Sequence, residues 1–121
     1  MQAFTFINAF EIPEGQEEVF RKEWPEVVER LRYVEGLLSV KLYEADSEVE
    51  EHLLRVPGIS ARLRERPGSK ASFRFIVVAE WASVAHYEAV VRSPRQGKPL
   101  LSFPSHPAYY HIVSEYTGLH V

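Results

Sequence analysis

Apolar and polar positions alternate from residue 3 to residue 12, which places Phe4, Phe6, Asn8, Phe10 and Ile12 on one face and Thr5, Ile7, Ala9 and Glu11 on the other. That is the period of a β-strand. After a turn at Pro13, Glu14 and Gly15 the period changes, and Val19, Phe20, Trp24, Val27, Val28, Leu31 and Val34 recur at helical spacing among charged residues. They predict a helix over about 16–34, with Pro25 removing one backbone donor and favouring a kink near Arg21 to Trp24. Gly36 reads as a left-handed helix cap, and Leu38, Val40 and Leu42 then alternate with Ser39, Lys41 and Tyr43 as a second strand. A third strand over 73–81 sets Phe73, Phe75, Val77, Ala79 and Trp81 against Arg74, Ile76, Val78 and Glu80. Ser83 is placed to cap a second helix carrying Val84, Tyr87, Val90 and Val91, which stops at Ser93 and Pro94. Residues 94–107 contain four prolines and Gly97 and read as loop, and a last strand is expected over 109–116.

Strand, helix, strand, strand, helix, strand is the order of the split βαβ, ferredoxin-like α+β unit, with both helices on one face of a four-stranded antiparallel sheet. The opposite face then has nothing from this chain to cover it, although the middle of the third strand is apolar on both sides. Burial of that face calls for a partner, most simply a second copy across a two-fold axis, so a homodimer through the open sheet face is expected. The chain reads as one domain over 1–121, with an insertion at about 45–70 between strands 2 and 3, acidic first and basic later. Within it Ser47 can cap a short helix through Arg55, and the segment is either a lid over a cavity or an addition packed on the surface.

The 121 residues, 45% hydrophobic and 26% charged, suit a folded domain rather than a disordered one. Fourteen basic against 17 acidic residues give a net charge of −3, which offers no global field to draw in nucleic acid. With no cysteine there is no disulfide, thiolate nucleophile or cysteine-bound metal. The apolar start lacks the basic flank of a signal peptide, and no apolar run approaches the length of a bilayer helix, so a cytoplasmic protein is expected. The five histidines form no helical i, i+4 pair and stand at no known ligand spacing, which leaves no metal site to expect.

Several segments together resemble the antibiotic biosynthesis monooxygenase family: Phe6-Ile7-Asn8-Ala9-Phe10, the Phe20 and Trp24 pair, Gly36-Leu37, the run from Phe73 to Trp81, and His106-Pro107-Ala108-Tyr109-Tyr110. The resemblance covers most of the chain outside about 45–70. It implies a dimeric α+β barrel with a cavity in each subunit between sheet and helices, and members that oxidise phenolic polyketides with O₂ and no cofactor, or that bind and break down haem. Asn8 matches the first-strand asparagine of the haem-degrading members, but the tryptophan and axial histidine those members carry fall here at about Val90 and Leu100. The spacing of Trp81 and Tyr87 matches a pair that quinone-forming members use to hold a phenol.

From these residues the expected function is cofactor-independent oxidation of a small phenolic or polycyclic substrate. Asn8, Tyr87 and His111 are the expected catalytic residues, with His111 as general base because an imidazole titrates near neutral pH. Phe6, Trp24, Arg74, Phe75 and Trp81 are the expected substrate contacts. Three alternatives share the topology: a non-catalytic dimeric binding module, a haem-binding or haem-degrading protein, and an RNA-binding domain. The last requires Phe6, Phe73 and Phe75 on the open sheet face, where bases stack, whereas a cavity enzyme turns them toward its helices.

Overall fold

The computed structural model describes residues 2–58, 73–93 and 101–119. Strand β1 (Phe4–Phe10), helix α1 (Glu17–Leu31), strand β2 (Leu37–Glu44), helix α2 (Ser47–Leu54), strand β3 (Phe75–Trp81), helix α3 (Val84–Arg92) and strand β4 (Ser105–Tyr110) follow in that order. The four strands form one antiparallel sheet in the order β2-β3-β1-β4, the ferredoxin-like α+β arrangement. Among the described residues no helix is long and apolar enough to cross a membrane.

The pairing register sorts side chains into two faces. Phe4 lies opposite Trp81, Phe6 opposite Ala79, Asn8 opposite Val77 and Phe10 opposite Phe75, and the β3 members of these rows are all buried. On the other face Thr5, Ile7 and Ala9 meet Glu80, Val78 and Ile76, all only half-buried. Phe6 and Phe75 therefore lie on the buried face, and Phe73, just before β3, packs on the His106 ring at 5.3 Å. That distribution fails the requirement for base stacking on the open face.

The core is concentrated at one end of the buried face. Phe20 of α1 is fully buried and stacks on Phe75 at 4.4 Å, with Phe10 at 5.1 Å. Helix α1 runs through Pro25 to Leu31, three residues short of the expected end. The chain then turns through Tyr33 (φ 65°) and Gly36 (φ 84°). An asparagine or glycine is the usual choice at such angles, and the Tyr33 side chain is 94% exposed.

Three local expectations need correction. In β2 the register slips between Leu37 and Ser39, a bulge that leaves Leu38 63% exposed and turns Leu37 inward in its place. Alternation alone cannot reveal an inserted residue. The cap of α2 is Asp46, whose side chain accepts from the Val49 N–H, while Ser47 Oγ accepts from Arg74 at 2.8 Å. The last strand is Ser105–Tyr110 rather than 109–116. It includes Pro107, which is tolerated because β4 is an edge strand bonded only to β1. The later, basic part of the expected insertion, and the segment 94–100 with Leu100, lie outside the described residues.

Candidate active site

Away from the Phe20 end, the same buried face opens into a cavity of about 340 Å³. Its floor is made by the sheet rows Phe6–Ala79–Val40 and Asn8–Val77, and small side chains at Ala79 and Val77 leave the space unfilled. Helix α1 supplies one wall through Trp24, Val27, Arg30 and Leu31, the positions that one helical face presents at three- and four-residue steps. Helix α3 supplies Tyr87 and Val90. Leu101, Phe103 and Ser105 close the remaining side, and their approach to α1 is fixed by Glu23, whose carboxylate accepts from the Ser102 N–H at 3.0 Å and from its hydroxyl.

Two of the lining residues each carry a buried polar atom with no hydrogen-bond partner among the described residues: Asn8 Oδ1 and Trp81 Nε1. Leaving a buried acceptor or donor unsatisfied costs about 1–3 kcal/mol each, a cost that a bound molecule with matching groups would remove. Tyr87 is differently placed. Its hydroxyl bonds the Tyr109 hydroxyl at 2.9 Å, and its ring meets Trp81 edge-on at 5.4 Å. Burial first, then the bond to Tyr109, push the Tyr87 phenol well above its ordinary range, so it remains a neutral hydroxyl at physiological pH.

Helix α3 owes its position to its first turn. Ser83 Oγ accepts from the His86 N–H at 3.2 Å and also contacts His86 Nδ1 at 2.7 Å. The His86 ring lies so close to Gly36 that a Cβ there would come within 2.2 Å of it. Gly36 thus permits α3 to approach the start of β2, which sets Tyr87 over the cavity.

Of the expected site residues, the structure gathers Phe6, Asn8, Trp24, Trp81 and Tyr87 around one cavity. Phe75 is not among its lining residues: it is sealed beneath Phe20 in the core, 1% exposed. Arg74 is also elsewhere, held to both Glu50 carboxylate oxygens at 2.7 and 3.0 Å, and it fastens α2 to the start of β3. His111 is exposed beyond the end of β4, where it lines a second, outer hollow with Phe4, Tyr87, Tyr109 and Tyr110. Among the lining residues that the sequence did not single out are Arg30, Leu37, Leu101 and Phe103. Helical spacing from Val27 could have found Arg30; the bulge and the proline-rich segment hid the others.

The sequence model of the family described as "Antibiotic biosynthesis monooxygenase" matches residues 3–98, from β1 through α3. The chain belongs to that family. Solved structures of the same fold include a candidate monooxygenase from Shewanella loihica PV-4, at 21% identity and a TM-score of 0.64, covering 94% of this chain and 97% of that one. They also include SnoaB, a cofactor-independent oxygenase from Streptomyces nogalater, at 13% identity and a TM-score of 0.61, covering 95% and 97%. A third is the haem-degrader MhuD from Mycobacterium tuberculosis, solved with two haems in its active site, at 18% identity and a TM-score of 0.58, covering 94% and 99%. No curated protein matches the sequence. Identities this low establish the shared fold of these family members and leave the chemistry to the site.

Proposed function

We propose that this chain is a cofactor-independent monooxygenase that oxidises a small phenolic or polycyclic aromatic substrate with O₂, working as a homodimer joined through its open sheet face. The observation that carries the reading is the pair of buried atoms unpartnered among the described residues, the acceptor Asn8 Oδ1 and the donor Trp81 Nε1, on two residues that line one aromatic cavity. A hydroxyl donating to Asn8 and a ring oxygen accepting from Trp81 would satisfy both, and the flat walls of Phe6, Trp24 and Trp81 suit a planar ring system.

The chemistry needs no external electrons when a ring methylene flanked by a phenol becomes a carbonyl. One oxygen atom enters the substrate, the other leaves as water, and the substrate supplies all four electrons. What the protein must provide is removal of the phenolic or methylene proton and stabilisation of the resulting anion. Trp81 Nε1–H can donate to the anionic oxygen, and Tyr87, neutral because of its burial, can donate its own hydrogen while accepting from Tyr109. His111 then acts as base from the outer hollow: the proton passes through the Tyr87 and Tyr109 hydroxyl pair rather than directly to the imidazole.

Half-buried Ile7, Ile76 and Val78 across the centre of the open face support the dimer. Sedimentation at micromolar concentration is expected to give a particle of twice 14.0 kDa, and a monomer would sink that part of the reading. The activity is tested with an oxygen electrode, using chelator-treated protein and a panel of anthrone-like phenols. Uptake above the spontaneous rate, lost in Trp81→Phe by roughly 100-fold, is expected. Absence of uptake across the panel, with ligand binding intact, would leave a non-catalytic binding module.

A further inference from the structure

Beside the cavity, between α1 and β2, lies a further hollow of about 260 Å³. Trp24, Leu31, Leu37 and Val40 line both spaces. Two of these residues belong to α1 and two to β2, so they stand on opposite sides of the gap between helix and sheet and frame an opening from one space to the other. The β2 bulge contributes to that frame by turning Leu37 inward in place of Leu38. Beyond the opening the hollow adds Val28, Leu42 and Arg32. Arg32 marks the outer rim, its side chain 55% exposed and its guanidinium 3.6 Å from Glu29. The two spaces differ in character. Phe6, Trp81 and Tyr87 give the cavity flat aromatic sides, and Asn8 and Ser105 give it polar groups, whereas the described lining of the hollow is branched and aliphatic apart from Trp24 and Arg32. Facing apolar side chains that do not touch forgo dispersion contact, and an apolar group placed between them restores it.

We propose that this hollow is a subsite for an aliphatic chain carried by the aromatic substrate. The ligand class is then an alkyl-substituted aromatic, with its rings in the cavity and its chain passing through the opening between α1 and β2. Two features select a chain over a further ring or a polar group. A saturated chain can turn at each of its bonds and so leave the plane of the rings at the opening, which a rigid fused ring system does not. The described lining of the hollow also has no serine, threonine, amide, carboxylate or histidine to receive a polar substituent, so such a group would be buried without a partner. The chain belongs to the same molecule as the rings because the opening joins the two spaces. The inference rests on the cavity being the substrate site, and it adds an aliphatic arm to that reading.

The test compares 2-methylanthraquinone with 2-pentylanthraquinone, whose rings are already oxidised and whose substituents differ only in chain length. Trp24 and Trp81 are the two tryptophans of the chain and both line the cavity, so quenching of intrinsic fluorescence reports its occupancy. Full burial of one methylene is worth about fourfold in affinity, so the pentyl compound is expected to bind at least about tenfold more tightly than the methyl compound. Val28→Phe fills the hollow from α1, at a position already 43% exposed, and should bring the two affinities within about threefold of each other. Leu42→Phe fills it from β2 and should do the same. Val19→Phe changes a comparably exposed valine of α1 that lies outside both described linings, and should keep the preference. Near-equal binding of the two probes by the unaltered protein, a pentyl preference that survives both filling variants, or no quenching by either probe overturns the proposal. The oxygen electrode separates that failure from failure of the function: if phenols without a chain still drive O₂ uptake, the subsite falls and the monooxygenase reading stands, and if uptake is absent as well, both fall.

Discussion

Replacing Gly36 by alanine tests how the position of α3 is set. Two costs add at this residue. Its φ of 84° lies in the left-handed region, where a Cβ costs about 1 kcal/mol. The new methyl would also lie 2.2–2.5 Å from the Cγ, Cβ and Cδ2 atoms of His86, far inside contact distance. Because Cβ of His86 is among them, no rotation of the imidazole relieves the overlap, and α3 itself must move; overpacking of this kind costs about 1–3 kcal/mol. The sum is roughly 2–4 kcal/mol, or a fall in Tm of roughly 8–16 °C for a domain of this size. Gly15 supplies the comparison, since it has φ of 87° but nothing within 4 Å of the place an added methyl would occupy. Gly15→Ala should therefore show only the backbone cost, a fall of about 4 °C. Thermal unfolding followed by circular dichroism measures both. Equal losses in the two variants would refute the claim that close approach, rather than φ alone, requires glycine at position 36. Since α3 carries Tyr87 and Val90 to the cavity, Gly36→Ala should also lower O₂ uptake, whereas Gly15→Ala should not.

Asn8→Leu removes an unsatisfied buried acceptor, so it is expected to raise stability by about 1 kcal/mol in urea unfolding while lowering O₂ uptake; loss of stability would mean that Asn8 is a structural residue. Phe20→Ala opens a hole under the Phe10 and Phe75 rings and should cost about 3–5 kcal/mol, checked by the same unfolding curves. Tyr109→Phe removes two of the influences that raise the Tyr87 pKa, so ultraviolet titration should find Tyr87 ionising at lower pH than in the unaltered protein. The sign for stability follows: with the folded pKa above the unfolded value of 10.0, the Tyr87 contribution is full below pH 10 and declines as pH rises beyond it, and Tyr109→Phe should make that decline smaller. Haem titration is expected to leave the spectrum of free haem, because the described lining residues of the cavity include no histidine to ligate the iron; a stoichiometric Soret shift would overturn this.

Helix α3 was the most legible element, since Ser83 followed by apolar positions at 84, 87, 90 and 91 specifies both its cap and its inner face. The shared face of Phe6, Asn8 and Phe10 was equally plain from alternation, and so was that of Val77, Ala79 and Trp81. Alternation could not tell which members of a face meet solid core and which meet empty space. Phe6 and Phe75 look equivalent by period, yet one lines the cavity and the other lies under Phe20. Arg74 looked like a substrate contact until its ion pair with Glu50, 24 residues away in sequence, drew it to the base of α2.

By itself the sequence determined the order of the elements, the two faces of the sheet and the family, because each depends on local periodicity or on motifs spread along the chain. The tertiary structure decided where the cavity lies and what borders it. Its depth depends on small side chains of β3 standing opposite a helix that closes down only at the Phe20 end. Its boundary depends on a bulge that exchanges Leu38 for Leu37, and on Glu23 drawing in the segment that bears Leu101 and Phe103. These are relations between residues distant in sequence, and no period along a single strand or helix records them.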